Sequence, residues 1–409
     1  MIAPARIDQS WLHSPALQEL LALLNSDGGE AKIAGGAVRN SLLGEAIKDV
    51  DVATTLIPAD VTMRLEEAGH RAIPTGIDHG TVTALIDGET FEVTTLRKDI
   101  DTDGRHATVT FGTDWLEDAE RRDFTMNALY LEADGTVFDP LGGYGDLMAR
   151  NVIFIGMAEK RIEEDYLRIL RFFRFFAWYG TFRPDAKGLM ACTRLKDGLD
   201  DLSAERIWQE LSRMLAAPDP SRALLWMRQT GVLSKVLPES ENWGIDAIHG
   251  LVEAEQELGW DADAVLRLMS IIAPMEDKVA GLAERLKLSN KVRDRLIAWA
   301  GQESLPKKQS KQEFDAMLYR SNVQAVSDRI RLDCATAIGK NDEKRSTKLA
   351  KRLKRIAKWE RPELPVRGQD LLDAGMKPGP QIAQTLTRLE EVWIASGFKA
   401  SREFLLAKV

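Results

Sequence analysis

The hydrophobic pattern changes once along this 409-residue chain, close to Asn151. Before that point, short runs rich in β-branched residues alternate with glycine, aspartate and helix-like stretches, which predicts an α/β or α+β region. After it, long stretches with 3.6-residue periodicity are separated by proline-containing connections, which predicts helices alone. We therefore expect a mixed region followed by an all-helical remainder. The predicted strands are residues 32–33, 50–55, 81–86, 91–96, 109–111 and 128–131.

The composition excludes several classes of protein. Hydrophobic residues make up 44% of the chain and the net charge is -8, so a core can form and no global positive field attracts nucleic acid. Two cysteines, Cys192 and Cys334, rule out a disulfide framework and a four-cysteine zinc site. The first residues lack a secretion-signal pattern, and no run of about 18 apolar residues occurs. We expect a cytoplasmic protein that does not span a membrane.

A Gly-Gly pair stands between a short strand and a helix in which Val38 and Leu42 lie one turn apart. Gly35 and Gly36 let the backbone approach a ligand closely, and the free N–H groups of the helix start favour a phosphate. Arg39 could add positive charge to such a site. The alternative is that the glycines only form a tight turn.

Two aspartates follow this helix, at Asp49 and Asp51. In a strand they share one face, while Val50 and Val52 point into the core. Two converging carboxylates repel each other unless a cation lies between them, and hard oxygen ligands favour Mg²⁺ or Mn²⁺. Glu92, on a later strand-like run, offers a third carboxylate. A solvated strand face is the alternative for an isolated pair, but the nearby glycine turn and Glu92 favour a Mg²⁺ site.

Seven sequence blocks are spread over residues 33–171. They read GGAVRNSLLG from Gly35, DVD from Asp49, HGTV from His79, EVTT from Glu92, RRDFTMNAL from Arg121, DPLGGYGDL from Asp139 and EDYLRILR from Glu164. Together these blocks resemble the nucleotidyltransferase head of bacterial-type (class II) CCA-adding tRNA nucleotidyltransferases and bacterial poly(A) polymerases. One departure is Asn40, where the family commonly has aspartate. It leaves the role of that residue open and does not affect the predicted metal ligands.

The resemblance implies an α+β protein with a polymerase-β-like nucleotidyltransferase head, followed by all-helical neck, body and tail domains. We expect the catalytic head at residues 1–148, the neck with the base-recognition helix at 149–215, the body at 216–300 and the tRNA-binding tail at 301–409. Residues 366–380 also resemble the family's tail, less specifically.

A single buried helix is predicted over residues 158–178, with Asp165 and Arg168 on one face. The simplest interpretation is a local ion pair. A carboxylate beside a guanidinium also matches the amino donor and ring-nitrogen acceptor that cytosine and adenine present, and it clashes with uracil and guanine. The resemblance assigns this template role to Asp165 and Arg168, with Glu164 supporting them.

By the same resemblance, Arg121, Arg122, Asp123 and Asn127 contact the triphosphate and ribose. The alternative is that Asp123 caps the following segment while the arginines are solvated. Asp49, Asp51 and Glu92 would bind Mg²⁺ as the catalytic carboxylates.

The implied reaction is the addition of C, C and A to the 3′ end of tRNA from CTP and ATP, with release of pyrophosphate. Poly(A) polymerases usually follow the paired aspartates with a Gly-Arg-Arg-Phe-like block, whereas this chain has DHGTVTALI from Asp78. Poly(A) polymerase, CC-only or A-only addition, and a non-catalytic RNA-binding paralogue remain alternatives. The sequence leaves the oligomeric state open.

Two further segments carry predictions. Residues 344–361 contain nine Lys or Arg against one Glu. They form either a solvated helix face or an RNA-binding surface made by Lys351, Arg352, Lys354, Arg355 and Lys358. Residues 99–106 are polar with an Asp-Gly turn signal, which predicts a mobile loop. The resemblance links this loop to the switch from cytosine to adenine, and it implies that a deletion mutant stops at CC.

Overall fold

A computed structural model describes residues 5–76, 80–102, 107–241, 243, 245–303, 305–306 and 308–409, without the side chains of 98–102 and 107–109. The chain divides into two units, Met1–Pro238 and Glu239–Val409. The described part of the first unit contains the strands and eleven α-helices, and the described part of the second contains helices and no strands. This arrangement confirms the predicted α+β class.

The sheet of the first unit has seven described strands in the order β3-β4-β5-β2-β1-β8-β9, and β6 and β7 pair separately. Only β2 and β5 run parallel among the pairs of described strands. The strands are β1 Ala31–Ala34, β2 Asp51–Thr54, β3 Arg71–Gly76, β4 Thr81–Ile86, β5 Glu89–Thr95, β6 Arg97–Thr102, β7 Ala107–Phe111, β8 Tyr130–Leu131 and β9 Val137–Phe138.

The middle of this sheet positions the predicted carboxylates. In β2, Val52, Ala53 and Thr54 are buried whereas Asp51, at the strand's start, is exposed. A strand with successive buried residues is covered on both faces, so its polar side chain is available only at its end. Asp51 pairs directly with Glu92 of β5, which places the two side chains side by side.

Eleven α-helices accompany the sheet among the described residues of the first unit. They are α1 Pro15–Leu24, α2 Gly36–Leu43, α3 Pro58–Glu67, α4 Trp115–Glu120, α5 Gly143–Met148, α6 Ala158–Glu164, α7 Leu167–Tyr179, α8 Ala186–Leu195, α9 Ala204–Leu215, α10 Ser221–Gln229 and α11 Val232–Val236. Short 3₁₀ helices span Ser10–His13, Thr125–Asn127, Lys196–Asp201 and Pro238–Ser240. Helix α7 is mostly buried, and its Phe172 stacks on Phe154 at 5.4 Å between ring centroids.

The predicted continuous helix over residues 158–178 is wrong, because the chain breaks between α6 and α7. Asp165 adopts an extended conformation, with φ −157° and ψ 106°. Its Oδ1 accepts the N–H of Leu167 at 3.1 Å, at the start of α7. An aspartate that accepts an unpaired N–H of a new helix competes with helix continuation, and this explains the break.

The second unit is built from the helices α12 Ala247–Leu258, α13 Ala264–Ile271, α14 Glu276–Arg285, α15 Asn290–Gly301, α16 Lys311–Arg320, α17 Val323–Ile338, α18 Glu343–Ile356, α19 Gly368–Asp373, α20 Pro380–Ala395 and α21 Arg402–Leu406. Its C-terminal part is organised by an aromatic cluster in which Phe398 contacts Trp393 at 5.0 Å and Tyr319 at 5.4 Å between ring centroids. None of the described helices is long and apolar enough to cross a membrane.

The mobile-loop prediction for residues 99–106 is wrong for its first four residues. These belong to β6, which pairs antiparallel with β7 and has an irregular register between Asp99 and Asp101. Residues 103–106 lie outside the described residues, as does His79 of the predicted HGTV block. The sequence of β7, residues 107–111, contains β-branched residues that indicate a strand. The sequence of its partner β6 is too polar to indicate a strand.

Candidate active site

The Gly-Gly pair forms the turn between β1 and α2. Gly35 has φ 66° and ψ −111°, which strongly favours glycine, and its N–H donates to the Leu129 carbonyl at 3.2 Å. A Cβ atom at Gly35 would lie 3.5 Å from Nη1 of Arg122. Gly36 begins helix α2, and a Cβ atom there would lie 3.9 Å from Nη2 of Arg39. The turn therefore brings a positive helix end and an arginine to one place, as the phosphate-site prediction requires.

The side chain of Arg39 is buried and connects α2 to Asn127 and Tyr179 through hydrogen bonds. Its guanidinium donates to the side chains of Asn127 at 2.5 Å, Tyr179 at 2.8 Å and Asn40 at 3.0 Å, and it lies 4.3 Å from the Tyr179 ring centroid. Burial lowers the pKa of Arg39. Asn40 also donates to the carbonyl of Ala46 at 2.8 Å. These contacts give Asn40 a polar role that links α2 to the segment before Asp49.

Asp49 and Glu92 act electrostatically on Asp51. Loss of surrounding water at the site raises the pKa of Asp51, and the charges of Glu92 and Asp49 raise it further, whereas Arg122 acts in the opposite direction. In the part of the chain that the structure describes, no three acidic, histidine or cysteine side chains gather closely enough to hold a metal by themselves. The predicted carboxylates therefore disfavour one another's charge at Asp51, and they do not form a complete metal site by themselves.

Asp118 binds two arginines that line the arginine cavity described below, and our sequence reasoning missed it. Its carboxylate is 1% exposed and accepts hydrogen bonds from Arg121 at 2.5 Å, from Arg122 at 3.0 Å and from the Tyr130 hydroxyl at 2.7 Å. Burial opposes ionisation, but the two arginines outweigh it and lower the pKa of Asp118. The i, i+3 and i, i+4 spacing of Asp118 to the two arginines was the signal that could have found it.

Asp123 and Asn127 belong to a buried hydrogen-bond network. Oδ1 of Asp123 accepts the Asn127 amide at 2.9 Å, and Oδ2 accepts Nη2 of Arg171 at 2.6 Å. Burial opposes ionisation of Asp123, but Arg171 and these hydrogen bonds lower its pKa. Asp123 also accepts the N–H of Phe124 at 2.9 Å. The network joins the RRD block to α7, so Asp123 holds the site together rather than standing free in solvent.

The predicted template residues do not pair with each other. Oδ2 of Asp165 accepts Nη2 of Arg206 at 2.7 Å, whereas Arg168 donates to Glu164 at 2.5 Å and to the Arg161 carbonyl at 2.8 Å. The local ion-pair interpretation of Asp165 and Arg168 is therefore wrong. Each side chain is oriented by a separate partner, so both can face the same ligand.

One cavity of about 460 Å³, which we call the arginine cavity, brings most of these side chains together. Its lining includes the predicted residues Gly35, Gly36, Arg39, Asp51, Arg122, Asp123, Asn127, Asp165 and Arg168. Arg121, Arg171 and Arg206 contribute as well. Asp49, Glu92 and Glu164 are not part of its lining. Asp49 lines the neighbouring cavity.

The predicted RNA-binding residues of α18 fall into two groups. Lys351, Lys354 and Lys358 are exposed. Arg355 is instead paired with Asp315, and Arg352 lies 5.1 Å from the centroid of the Phe314 ring. Burial lowers the pKa of Arg352. Two of the five cations thus contribute to packing within the second unit.

Three family models match the chain. The model described as "Poly A polymerase head domain" matches residues 31–153, and one described as an RNA and SrmB-binding site of polymerase A matches 181–243. A model for tRNA nucleotidyltransferase domain 2 matches residues 261–409. The three matches follow one another along the chain without overlap.

Similar proteins extend over almost the whole chain. The mitochondrial CCA tRNA nucleotidyltransferase 1 of Mus musculus is 36% identical over 97% of this chain and 90% of its own length. The CCA-adding enzyme of Geobacillus kaustophilus is 32% identical over 96% of both chains. The solved CCA-adding enzyme of Bacillus stearothermophilus, in complex with CTP, has a TM-score of 0.75 and 27% identity, and covers 96% of each chain.

The fold, the glycine turn with its neighbouring aspartates, and these similarities agree. The chain belongs to the family of CCA-adding tRNA nucleotidyltransferases.

Proposed function

We propose that this protein adds C, C and A to the 3′ end of tRNA, taking nucleotides from CTP and ATP and releasing pyrophosphate without a nucleic-acid template. The observation that carries the proposal is the arginine cavity. There, Asp51, the glycine turn and the pair Asp165 and Arg168 line one volume. A nucleoside triphosphate needs these three features together: a catalytic carboxylate, an anion site and a base reader.

The triphosphate lies at the start of α2. Gly35 and Gly36 have no side chains to block it, and the helix end is positive. Arg122 lies beside the turn, where burial opposes its charged form but Asp118 outweighs burial and raises its pKa. Arg39, Asp123 and Asn127 support this wall through their mutual hydrogen bonds. In this proposal, Arg122 contacts phosphate directly and the other three hold the binding surface.

The base is read by Asp165 and Arg168. Cytosine and adenine each present an amino donor next to a ring-nitrogen acceptor, which match a carboxylate and a guanidinium respectively. Uracil and guanine present the reverse order, so neither Asp165 nor Arg168 would find a matching hydrogen-bond partner on the base. A site built for hydrogen bonding can reject such a mismatch by roughly 10⁴ to 10⁵. Arg206 and Glu164 fix the two readers in place, which reduces their freedom to accept the wrong base.

The catalytic carboxylates fit a divalent metal. Asp49 and Asp51, with Glu92 beside them, would hold it, and their hard oxygen atoms suit Mg²⁺, which usually takes only one or two protein carboxylates and completes its shell with water and substrate phosphate. When bound, such an ion lowers the pKa of the attacking hydroxyl and offsets the charge of the leaving group. A site with few protein carboxylates is compatible with this mode of binding.

The reaction transfers one nucleotide in each step. The terminal 3′ oxygen of the tRNA forms a bond to the α-phosphorus as the bond from this phosphorus to the bridging oxygen breaks. Pyrophosphate leaves with that electron pair, and the hydroxyl proton passes to solvent. The chain's own groups orient both reactants, and the arginines around the cavity balance the charge of the triphosphate.

The second unit binds the body of the tRNA. Lys351, Lys354 and Lys358 form an exposed basic surface on and just after α18. Their contacts with phosphate would release counterions and make the affinity depend on salt. Arg352 and Arg355 support this surface from within the unit. We retain the predicted boundaries at 148, 215 and 300 for head, neck, body and tail as part of the proposal.

Measurement of pyrophosphate release tests the enzymatic assignment. We expect release from CTP and ATP only when both a tRNA lacking its 3′ end and Mg²⁺ are present. Asp51→Asn should reduce the rate by more than about a hundredfold, because it removes a ligand of a transition-state metal, with little change in tRNA affinity. Asp87→Asn, an exposed aspartate in a turn, is the matched control. A rate above about a tenth of wild type for Asp51→Asn would contradict the assignment.

We also propose a cytoplasmic location. Both cysteines are free and buried, as expected in a reducing compartment. The vertebrate relatives carry "mitochondrial" in their names, whereas the bacterial relatives do not. Fractionation of cells that express the tagged full chain tests the location directly.

A further inference from the structure

A second cavity of about 540 Å³ adjoins the arginine cavity. It shares Gly36, Arg39 and Asp51 with the arginine cavity, but it also contains Asp49 and the side chain of Trp178. We call it the tryptophan cavity. Of the two predicted catalytic aspartates, Asp51 therefore lines both cavities, whereas Asp49 lines the tryptophan cavity only.

Two cations of the tryptophan cavity are available to a ligand. Lys48 and Arg213 are exposed, and within the described part of the chain neither side chain has an ion pair or a hydrogen bond. Arg174, which also lines the cavity, is instead bonded to Glu210. The acidic Glu45 in the same wall lies 3.6 Å from Arg150. The unpaired charge in this cavity, apart from the aspartates, is thus positive.

Trp178 offers a fixed aromatic surface beside these cations. Its indole N–H donates to the backbone carbonyl of Arg213 at 2.9 Å, which connects α7 to α9 and limits rotation of the ring. The side chain stays partly exposed. A partly exposed, immobilised tryptophan next to unpaired cations is the combination with which proteins bind single-stranded nucleic acid, by stacking a base and neutralising its phosphate.

We propose that the tryptophan cavity binds the last nucleotides of the tRNA acceptor end, with a terminal base on Trp178 and a terminal phosphate near Arg213 and Lys48. This inference rests on the proposed function and adds the position of the second substrate. The 3′ hydroxyl must meet the α-phosphate at Asp51, so the RNA has to reach Asp51 from a volume that the nucleotide does not fill. The tryptophan cavity meets this requirement.

A charge-deletion cycle between protein and RNA tests the proposal. The RNAs are tRNA ending in CC with either a normal or a neutral methylphosphonate group at the last linkage. The proteins are wild type, Arg213→Gln and Lys48→Gln. Lys187→Gln on α8, an exposed cation outside both cavities, is the matched control. Dissociation constants for each RNA are measured without nucleotide, and the KM of ATP is measured separately.

We expect Arg213→Gln to weaken binding of the normal RNA about tenfold, the size of one charge-assisted hydrogen bond. The neutral linkage should weaken wild-type binding by a similar factor but affect Arg213→Gln less than about twofold. The KM of ATP should not change, and Lys187→Gln should match wild type. Trp178→Leu should weaken binding of both RNAs equally, because stacking does not depend on the phosphate charge.

Equal sensitivity of wild type, Arg213→Gln and Lys48→Gln to the neutral linkage would overturn the proposal, since the phosphate would then lie elsewhere. A raised KM of ATP with unchanged RNA affinity would also overturn it and assign the cavity to the nucleotide. Because the binding cycle needs no turnover, it decides the position of the RNA even if the wild-type protein adds no nucleotide. A wild-type protein that adds no nucleotide would contradict the proposed function but not the proposed position of the RNA.

Discussion

Asp118→Asn should strongly destabilise the first unit, because Asp118 is the only acidic side chain shown to bind both Arg121 and Arg122 among the described residues. Asp118 is 1% exposed, and the two arginines are 17% and 20% exposed, so solvent screens these pairs little. Removing one partner of a buried ion pair typically costs roughly 3 to 5 kcal/mol. The NH2 group of the asparagine would also face N–H or O–H donors of Arg121, Arg122 or Tyr130, with which it cannot form the original hydrogen bonds. We therefore expect a loss in this range.

Hydrogen exchange across a urea series measures this loss in the relevant unit. Peptides from residues 115–131 should lose protection at a lower urea concentration in Asp118→Asn, whereas Glu120→Gln, an exposed acid on the same helix, should behave as wild type. Tyr130→Phe removes a single hydrogen bond to Asp118 and should cost about 1 kcal/mol. An Asp118→Asn midpoint equal to that of Glu120→Gln would refute the reasoning.

The pH dependence of this difference follows from the lowered pKa of Asp118. A carboxyl group with a lowered native pKa stabilises the fold fully above its unfolded pKa of about 4. That stabilisation is lost as the pH falls through the native pKa. The advantage of wild type over Asp118→Asn should accordingly be constant near neutral pH and shrink below about pH 4.

Three further outcomes are expected. Arg168→Ala should relax discrimination against UTP and GTP more than it weakens triphosphate binding, measured as kcat/KM for each nucleotide; an equal loss for all four would make Arg168 structural. Neutralising Lys351, Lys354 and Lys358 together should flatten the salt dependence of tRNA affinity by up to about one unit of slope per lost phosphate contact, and an unchanged slope would locate the tRNA elsewhere. Deleting residues 99–106 should give product ending in CC with C addition largely intact, and complete CCA at a near wild-type rate would make this segment a passive connection.

Local sequence rules predicted the elements of the site well. The glycine turn lies where a strand and a helix meet, and this position depends on a few consecutive residues. Asp51 and Glu92 lie on strands that the sequence also indicated, but they are neighbours because β2 and β5 pair in parallel. The blocks that begin at Gly35, Asp49, Arg121 and Glu164 contribute residues to the lining of the arginine cavity.

The sequence analysis did not predict contacts between residues that are far apart in the chain, because no local sequence pattern specifies them. Asp165 is paired with Arg206, 41 residues away, so the pattern of one helix could suggest only a pair with Arg168. The contact between Trp178 and the carbonyl of Arg213 likewise needs two helices that are packed together. The basic stretch was read as one surface, yet packing turns Arg355 toward Asp315. In each case tertiary contacts decide which of several local options is used.

Product analysis tests the central claim most directly. Full-length protein is incubated with Mg²⁺ and tRNA that lacks its last three nucleotides, first with CTP alone and then with CTP and ATP, and the products are resolved to single nucleotides and sequenced. We predict two added C residues with CTP alone, and C, C and A with both nucleotides, after which addition stops. A long run of A would identify a poly(A) polymerase, and a product that ends at CC with both nucleotides present, or A added only to tRNA already ending in CC, would likewise contradict full CCA addition.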